Sequence, residues 1–218
     1  MKKKLVIVLT TISFLSCQKS ELEFSCDPVI NEFIIEHRAE LSGITIHELT
    51  SYDFQLQRAI FNSWDYQKKR SAWIDKLQQV QVHMAFTESE NDHIQSLIAH
   101  ITEDYFLKEN IDNNPKIRSQ FAAQWISYSI NELGWSKQFV AFMVYRLYTD
   151  QSQFDSELSI LKLLGKIVKT DSETGDCDCN VSVDFCGNSI CSSSGCKIST
   201  GCGWLWSMSC DGNCFLSL

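Results

Sequence analysis

Residues Cys177–Leu218 read CDCNVSVDFCGNSICSSSGCKISTGCGWLWSMSCDGNCFLSL, and this stretch decides how the chain divides. It holds eight of the ten cysteines: Cys177, Cys179, Cys186, Cys191, Cys196, Cys202, Cys210 and Cys214. Small and turn-forming residues fill most of the intervals, so a segment of this length buries too little apolar surface to fold on packing alone. Covalent staples are the usual remedy, each worth roughly 2–4 kcal/mol through restriction of the unfolded chain. One apolar knot interrupts the pattern, formed by Trp204, Leu205, Trp206 and Met208. It reads either as a small core inside the staples or as an exposed patch for a target or a membrane, with Phe215 and Leu216 added.

The cysteines admit two chemistries. Zinc modules favour Cys-x2-Cys pairs, often with histidine; here no such pair occurs, and all five histidines lie upstream of Cys177. Disulfides formed in an oxidising compartment are the better reading, with no metal site. Connectivity stays open among roughly a hundred pairings. Cys177 and Cys179 flank a single residue, so each is expected to bridge to a distant partner.

The N-terminus agrees with export. Met1-Lys2-Lys3-Lys4 is a basic start, and Leu5 to Leu15 an apolar run of signal-peptide length, too short to span a membrane. It ends in Phe14-Leu15-Ser16-Cys17, which resembles a bacterial lipoprotein cleavage box. That resemblance implies residues 1–17 as a signal with Cys17 as the lipidated first residue of the mature chain, anchored to a bacterial membrane. Ordinary secretion without a lipid is the other course. Residues 18–26 read as a tether that leaves Cys26 to pair with another chain, stay buried or contact the tail.

From 27 to 168 the chain reads as one all-α domain of six or seven helices. Glycine and proline are scarce there, which disfavours a many-turned β architecture. Apolar residues recur at helical spacing in 27–41, 51–64, 65–84, 88–105, 115–133, 139–148 and 154–168. Thr87-Glu-Ser-Glu90 is a capping-box candidate, Asn114-Pro115 a helix start, and Gly134 a helix stop. Phe139 to Tyr148 is apolar nearly all round and should be the most buried helix. Residues 169–175 are polar and read as a linker before a small, irregular, disulfide-rich module at 176–218.

Candidate chemistry in the helical part is thin. Glu90-x-x-His93 has the spacing of a di-iron ligand pair, but no second pair occurs, so a capping glutamate beside a solvated histidine is expected. His93 and His100 share a helix face, read as hydrated. His47-Glu48 lacks the second histidine of a zinc-peptidase helix. No phosphate loop or nucleophile elbow appears. The run Lys68-Lys69-Arg70 is brief, and a formal net charge of −8 argues against nucleic acid as a partner. Trp64, Trp73, Trp125 and Trp135 are expected in the core. Neither a catalytic constellation nor a cofactor is expected.

The tail resembles the fulvocin C-related bacteriocins, on Cys177-Asp-Cys179, the step to Cys186, Thr200-Gly-Cys202-Gly with Trp204 nearby, and Cys210-Asp-Gly-Asn213. The likeness covers 176–218, about a fifth of the chain. It implies an exported, disulfide-bonded peptide toxic to related bacteria and made within a longer precursor. The helical part would be its leader, carrier or self-protecting domain, and the partners an unknown target on competing bacteria and an immunity protein. The tail carries Asp176, Asp178, Asp184 and Asp211 against Lys197. Positive charge therefore cannot draw it to anionic lipid, and any action on membranes must be apolar. A protein or cell-wall target is equally open. The alternative is a cell-surface lipoprotein whose cysteine-rich end is a binding or structural module without toxicity.

Overall fold

A computed structural model describes residues 24–25, 27–108, 115–167, 179–181, 189–193 and 199–216. Among them are eight helices: α1 (Pro28–Leu41), α2 (Ile46–Leu49), α3 (Phe54–Ser63), α4 (Tyr66–His83), α5 (Glu88–His100), α6 (Pro115–Asn131), α7 (Lys137–Val144) and α8 (Gln151–Ile167). Four short strands follow, β1 (Ser189–Ser192), β2 (Ser199–Cys202), β3 (Met208–Cys210) and β4 (Asn213–Leu216), with a single 3-10 turn at Trp204–Trp206 between β2 and β3. The protein is thus mostly helical, as the composition and breaker pattern predict, but its C-terminal end, expected to be irregular, carries two short antiparallel strand pairs. The signal segment with Cys17, Cys26, the linker 169–175, and Asn114 lie outside the described residues.

Local chemistry sets the helix starts. Asp27, Asp53 and Asp65 stand at extended N-cap positions, and their carboxylates accept first-turn amides of α1, α3 and α4. Thr87 and Glu90 form the expected capping box, with Glu90 Oε2 accepting from Thr87 N at 2.8 Å. Thr45 and Glu48 form a second box at α2, so the glutamate beside His47 serves a helix end. Pro115 opens α6, and Gly134 takes φ +68° beyond its end.

The helix expected over 139–148 is shorter. Continuous burial does run from Val140 to Tyr148, but α7 stops at Val144 and Tyr145–Tyr148 leave the helical path. A buried helix end needs donors for its last carbonyls, and Lys76 of α4 supplies them. Its ammonium nitrogen donates to the carbonyls of Phe142, Met143 (2.7 Å) and Arg146 (2.7 Å). Apolar periodicity does not reveal this stop, because Tyr145, Leu147 and Tyr148 carry the run of large buried side chains past Val144.

One core runs through the molecule. Trp64, Trp73, Trp125 and Trp135 are all in it, as expected, together with Ile34, Leu49, Phe61, Leu77, Leu97 and Phe142. The same cluster includes Trp204, Leu205 and Trp206 from the tail. The two strand pairs lie beyond: β1 pairs antiparallel with β4, setting Cys191 opposite Cys214, and β2 with β3, with a bulge between Thr200 and Cys202.

Candidate functional site

The knot Trp204–Trp206 is the tip of the β2–β3 hairpin, and it is buried among the helices. Trp204 is 1% exposed, Leu205 0% and Trp206 3%. Neither sequence expectation for it holds. It is neither a mini-core enclosed by the staples nor an exposed patch, because the helical body provides the apolar surface that the small segment lacks. Met208 is half-buried against the same core. The backbone of Phe215 is described in β4, but its side chain is not.

The seat is aromatic. Trp206 meets Phe54, Phe61 and Trp73 edge-on, at ring-centre distances of 5.9, 5.3 and 6.0 Å. Trp204 meets Phe121 and Trp125 of α6 in the same manner, at 6.2 and 5.5 Å. Edge-to-face pairs of this kind add roughly 0.5–1.5 kcal/mol each beyond area burial. A polar bond ties the tip to the body: the Trp206 indole nitrogen donates to the Tyr145 carbonyl at 2.8 Å. That carbonyl lies at the C-cap of α7 and also accepts from Arg146 Nη1 at 2.8 Å, so the tail shares in satisfying this helix end beside Lys76.

The hairpin backbone is strained to make this insertion. Leu205 and Trp206 hold φ of +52° and +53°, a region that costs a non-glycine residue roughly 1–2 kcal/mol. Gly203 before them has φ +66° and ψ −154°, open essentially to glycine alone. The burial is larger than the strain: two indoles and a leucine at about 25 cal/mol per Å² contribute on the order of 10 kcal/mol.

Two disulfides are described. Cys179 pairs with Cys191, so Cys179 does bridge away from Cys177; Cys202 pairs with Cys210. The second bridge closes the loop that carries the knot. Arg58 of α3 lies against it, with Nη2 2.6 Å from Cys210 Sγ and the guanidinium over the Phe54 ring. Cys177, Cys186 and Cys196 lie outside the described residues, as does the side chain of Cys214.

The remaining candidates settle into structural work. His93 is buried, not solvated as expected. It stacks on Trp125 at 4.4 Å, and its Nε2 pairs with Ser129 Oγ at 2.8 Å. Burial lowers its pKa. Glu90 accepts from the Trp135 indole at 2.7 Å in addition to its capping bonds, which hold its carboxyl below the ordinary value. His100 is half-buried, stacked on Phe121 at 3.5 Å, and its pKa falls through burial and the nearby Arg118 charge. The basic run Lys68-Lys69-Arg70 is half-buried. Lys68, Lys69 and Arg70 donate to the carbonyls of Ile44, Asn62 and Ile101, and burial takes Lys69 down to about 8. Among the described residues, no group of three or more His, Cys, Asp or Glu could hold a metal ion, and no helix is long and apolar enough to cross a membrane.

Arg58, Tyr145 and Lys76 are the residues that sequence reading passed over. The available signal was a charge on an apolar face: Arg58 lies between Phe54 and Phe61, and Lys76 between Trp73 and Leu77. Compared with known protein families, characterised proteins and solved structures, the chain matches none.

Proposed function

We propose that the chain is an exported, envelope-anchored protein of bacteriocin type, in which the helical body masks the apolar tip of a disulfide-bonded C-terminal effector. Export and anchoring rest on the N-terminal pattern ending at Cys17, and the effector role on the likeness of 176–218 to the fulvocin C-related bacteriocins. The observation that carries the masking role is the burial of Trp204, Leu205 and Trp206 in the body's own core. An apolar tip held there cannot engage a membrane or a target. Burial on the order of 10 kcal/mol also means that cutting the linker would not free the tail unaided. Release needs a step that opens the body.

The same burial favours a second reading, in which the tail never leaves and acts as a structural plug in a surface lipoprotein without toxicity. One experiment separates the two. The full-length oxidised protein is cut in the 169–175 linker, and the products are assayed on related bacteria before and after mild denaturant frees the tail. Killing by the freed tail, and not by the uncut protein, is the expected result. A freed, correctly bridged tail with no effect on any strain would overturn the effector role and leave the plug.

A further inference from the structure

The pairing of Cys202 with Cys210 has a partner in the helical body. Cys210 is 0% exposed and Cys202 1%, so the bridge sits inside the molecule. Its near neighbour is the Arg58 guanidinium, itself 6% exposed, with Nη2 2.6 Å from Cys210 Sγ. A neutral disulfide gains little from a cation. A thiolate gains much, since an adjacent arginine stabilises the anionic form. The arrangement is therefore worth most just before the bridge closes.

We propose that the helical body is an intramolecular template for disulfide pairing in the tail. Its α3 seat receives the unbridged β2–β3 hairpin through Trp206, against Phe54, Phe61 and the Tyr145 carbonyl. Arg58 then holds Cys210 as a thiolate where Cys202 can reach it. The oxidant is a disulfide donor of the dithiol-exchange class. Before the hairpin seats, the Cys202 thiolate attacks one donor sulfur, the donor S–S bond breaks, and one donor thiolate leaves. Once the hairpin is seated, the Cys210 thiolate beside Arg58 attacks Cys202 Sγ, expelling the second donor thiolate. The two cysteines lose two electrons and two protons, and the donor gains both as two thiols.

Loop length alone would not select this pairing. The separations are 8 residues for Cys202–Cys210 and 12 for Cys179–Cys191, a difference that favours the shorter closure by less than about twofold. Arg58 adds to that. A tenfold gain in thiolate is partly offset by lower nucleophilicity, which leaves about threefold in rate. The inference does not depend on whether the tail is later released.

The test uses the full chain, reduced and unfolded, then refolded with oxidised glutathione, with thiols trapped over time and bridges mapped. Cys202–Cys210 should close as the far-UV helical signal returns, ahead of Cys179–Cys191 by well over twofold. Arg58→Met should slow that closure roughly threefold or more without slowing Cys179–Cys191, and Arg58→Lys should restore most of the rate. In urea sufficient to melt the helices, the wild-type chain should lose this order. Closure of Cys202–Cys210 at an unchanged rate in the melted chain, or in a helical Arg58→Met protein, would overturn the proposal. If Arg58→Met does not regain its helices, the urea series on the wild type decides alone.

Discussion

At the scale of single residues, this protein buries polar groups where their hydrogen bonds can be completed. Lys76 is fully buried, and burial followed by the Arg146 charge pushes its pKa well down. It is tolerated because three carbonyls receive it. His93 and His100 make the same point about pH. Both sit below the ordinary 6.5, with burial as the leading cause. The unfolded chain therefore binds more protons than the folded one as pH falls through 6.5, and stability falls with it. We expect urea midpoints to drop between pH 7 and pH 5. His100→Phe, which keeps the stack on Phe121, should show a shallower drop; an unchanged slope would place the acid response elsewhere.

At the scale of elements, the β2–β3 hairpin is the part whose geometry is most demanding. Gly203 and Gly134 both hold positive φ, but their surroundings differ. A Cβ on Gly134 would meet nothing within 4 Å, whereas one on Gly203 would lie 2.9 Å from Met208 Sδ and 3.1 Å from its Cβ. Gly134→Ala should therefore cost only backbone strain, about 1 kcal/mol. Gly203→Ala adds a steric clash beneath a buried tip, and should cost roughly 3 kcal/mol or more. Chemical denaturation of the two variants side by side checks the ratio. Equal costs would mean that Met208 yields freely and that the tip is less constrained than its burial indicates.

At the scale of the whole molecule, the tail completes the core. Phe54, Phe61, Trp73, Phe121 and Trp125 all face the two inserted indoles. Ending the chain at residue 168 removes that filling and opens an aromatic-lined cleft. We expect the truncated protein to keep most of its far-UV helical signal, bind a hydrophobic dye, and lose the sharp near-UV transition of the intact chain. A truncated body that melts as cooperatively as the full chain would show that the plug is dispensable.

Local pattern was enough for what depends on neighbours in sequence. The Thr87–Glu90 box, the Pro115 start, the Gly134 stop and the placement of four tryptophans in the core each follow from residues a few positions apart. The same holds for the reading of the tail as stapled, since apolar area and cysteine density are counted along the chain. Where α7 ends, what buries His93, which cysteines meet and where Trp204–Trp206 go were decided only by tertiary structure. Each of those depends on groups far apart in sequence: Lys76 on the carbonyls of Phe142 and Met143, His93 on Ser129, and Trp206 on Tyr145. An apolar knot declares in sequence that it will leave water. Whether it is covered by its own segment, by another molecule or by a distant helix depends on which surface is large enough and free to take it, and here that surface is the body's unfilled core.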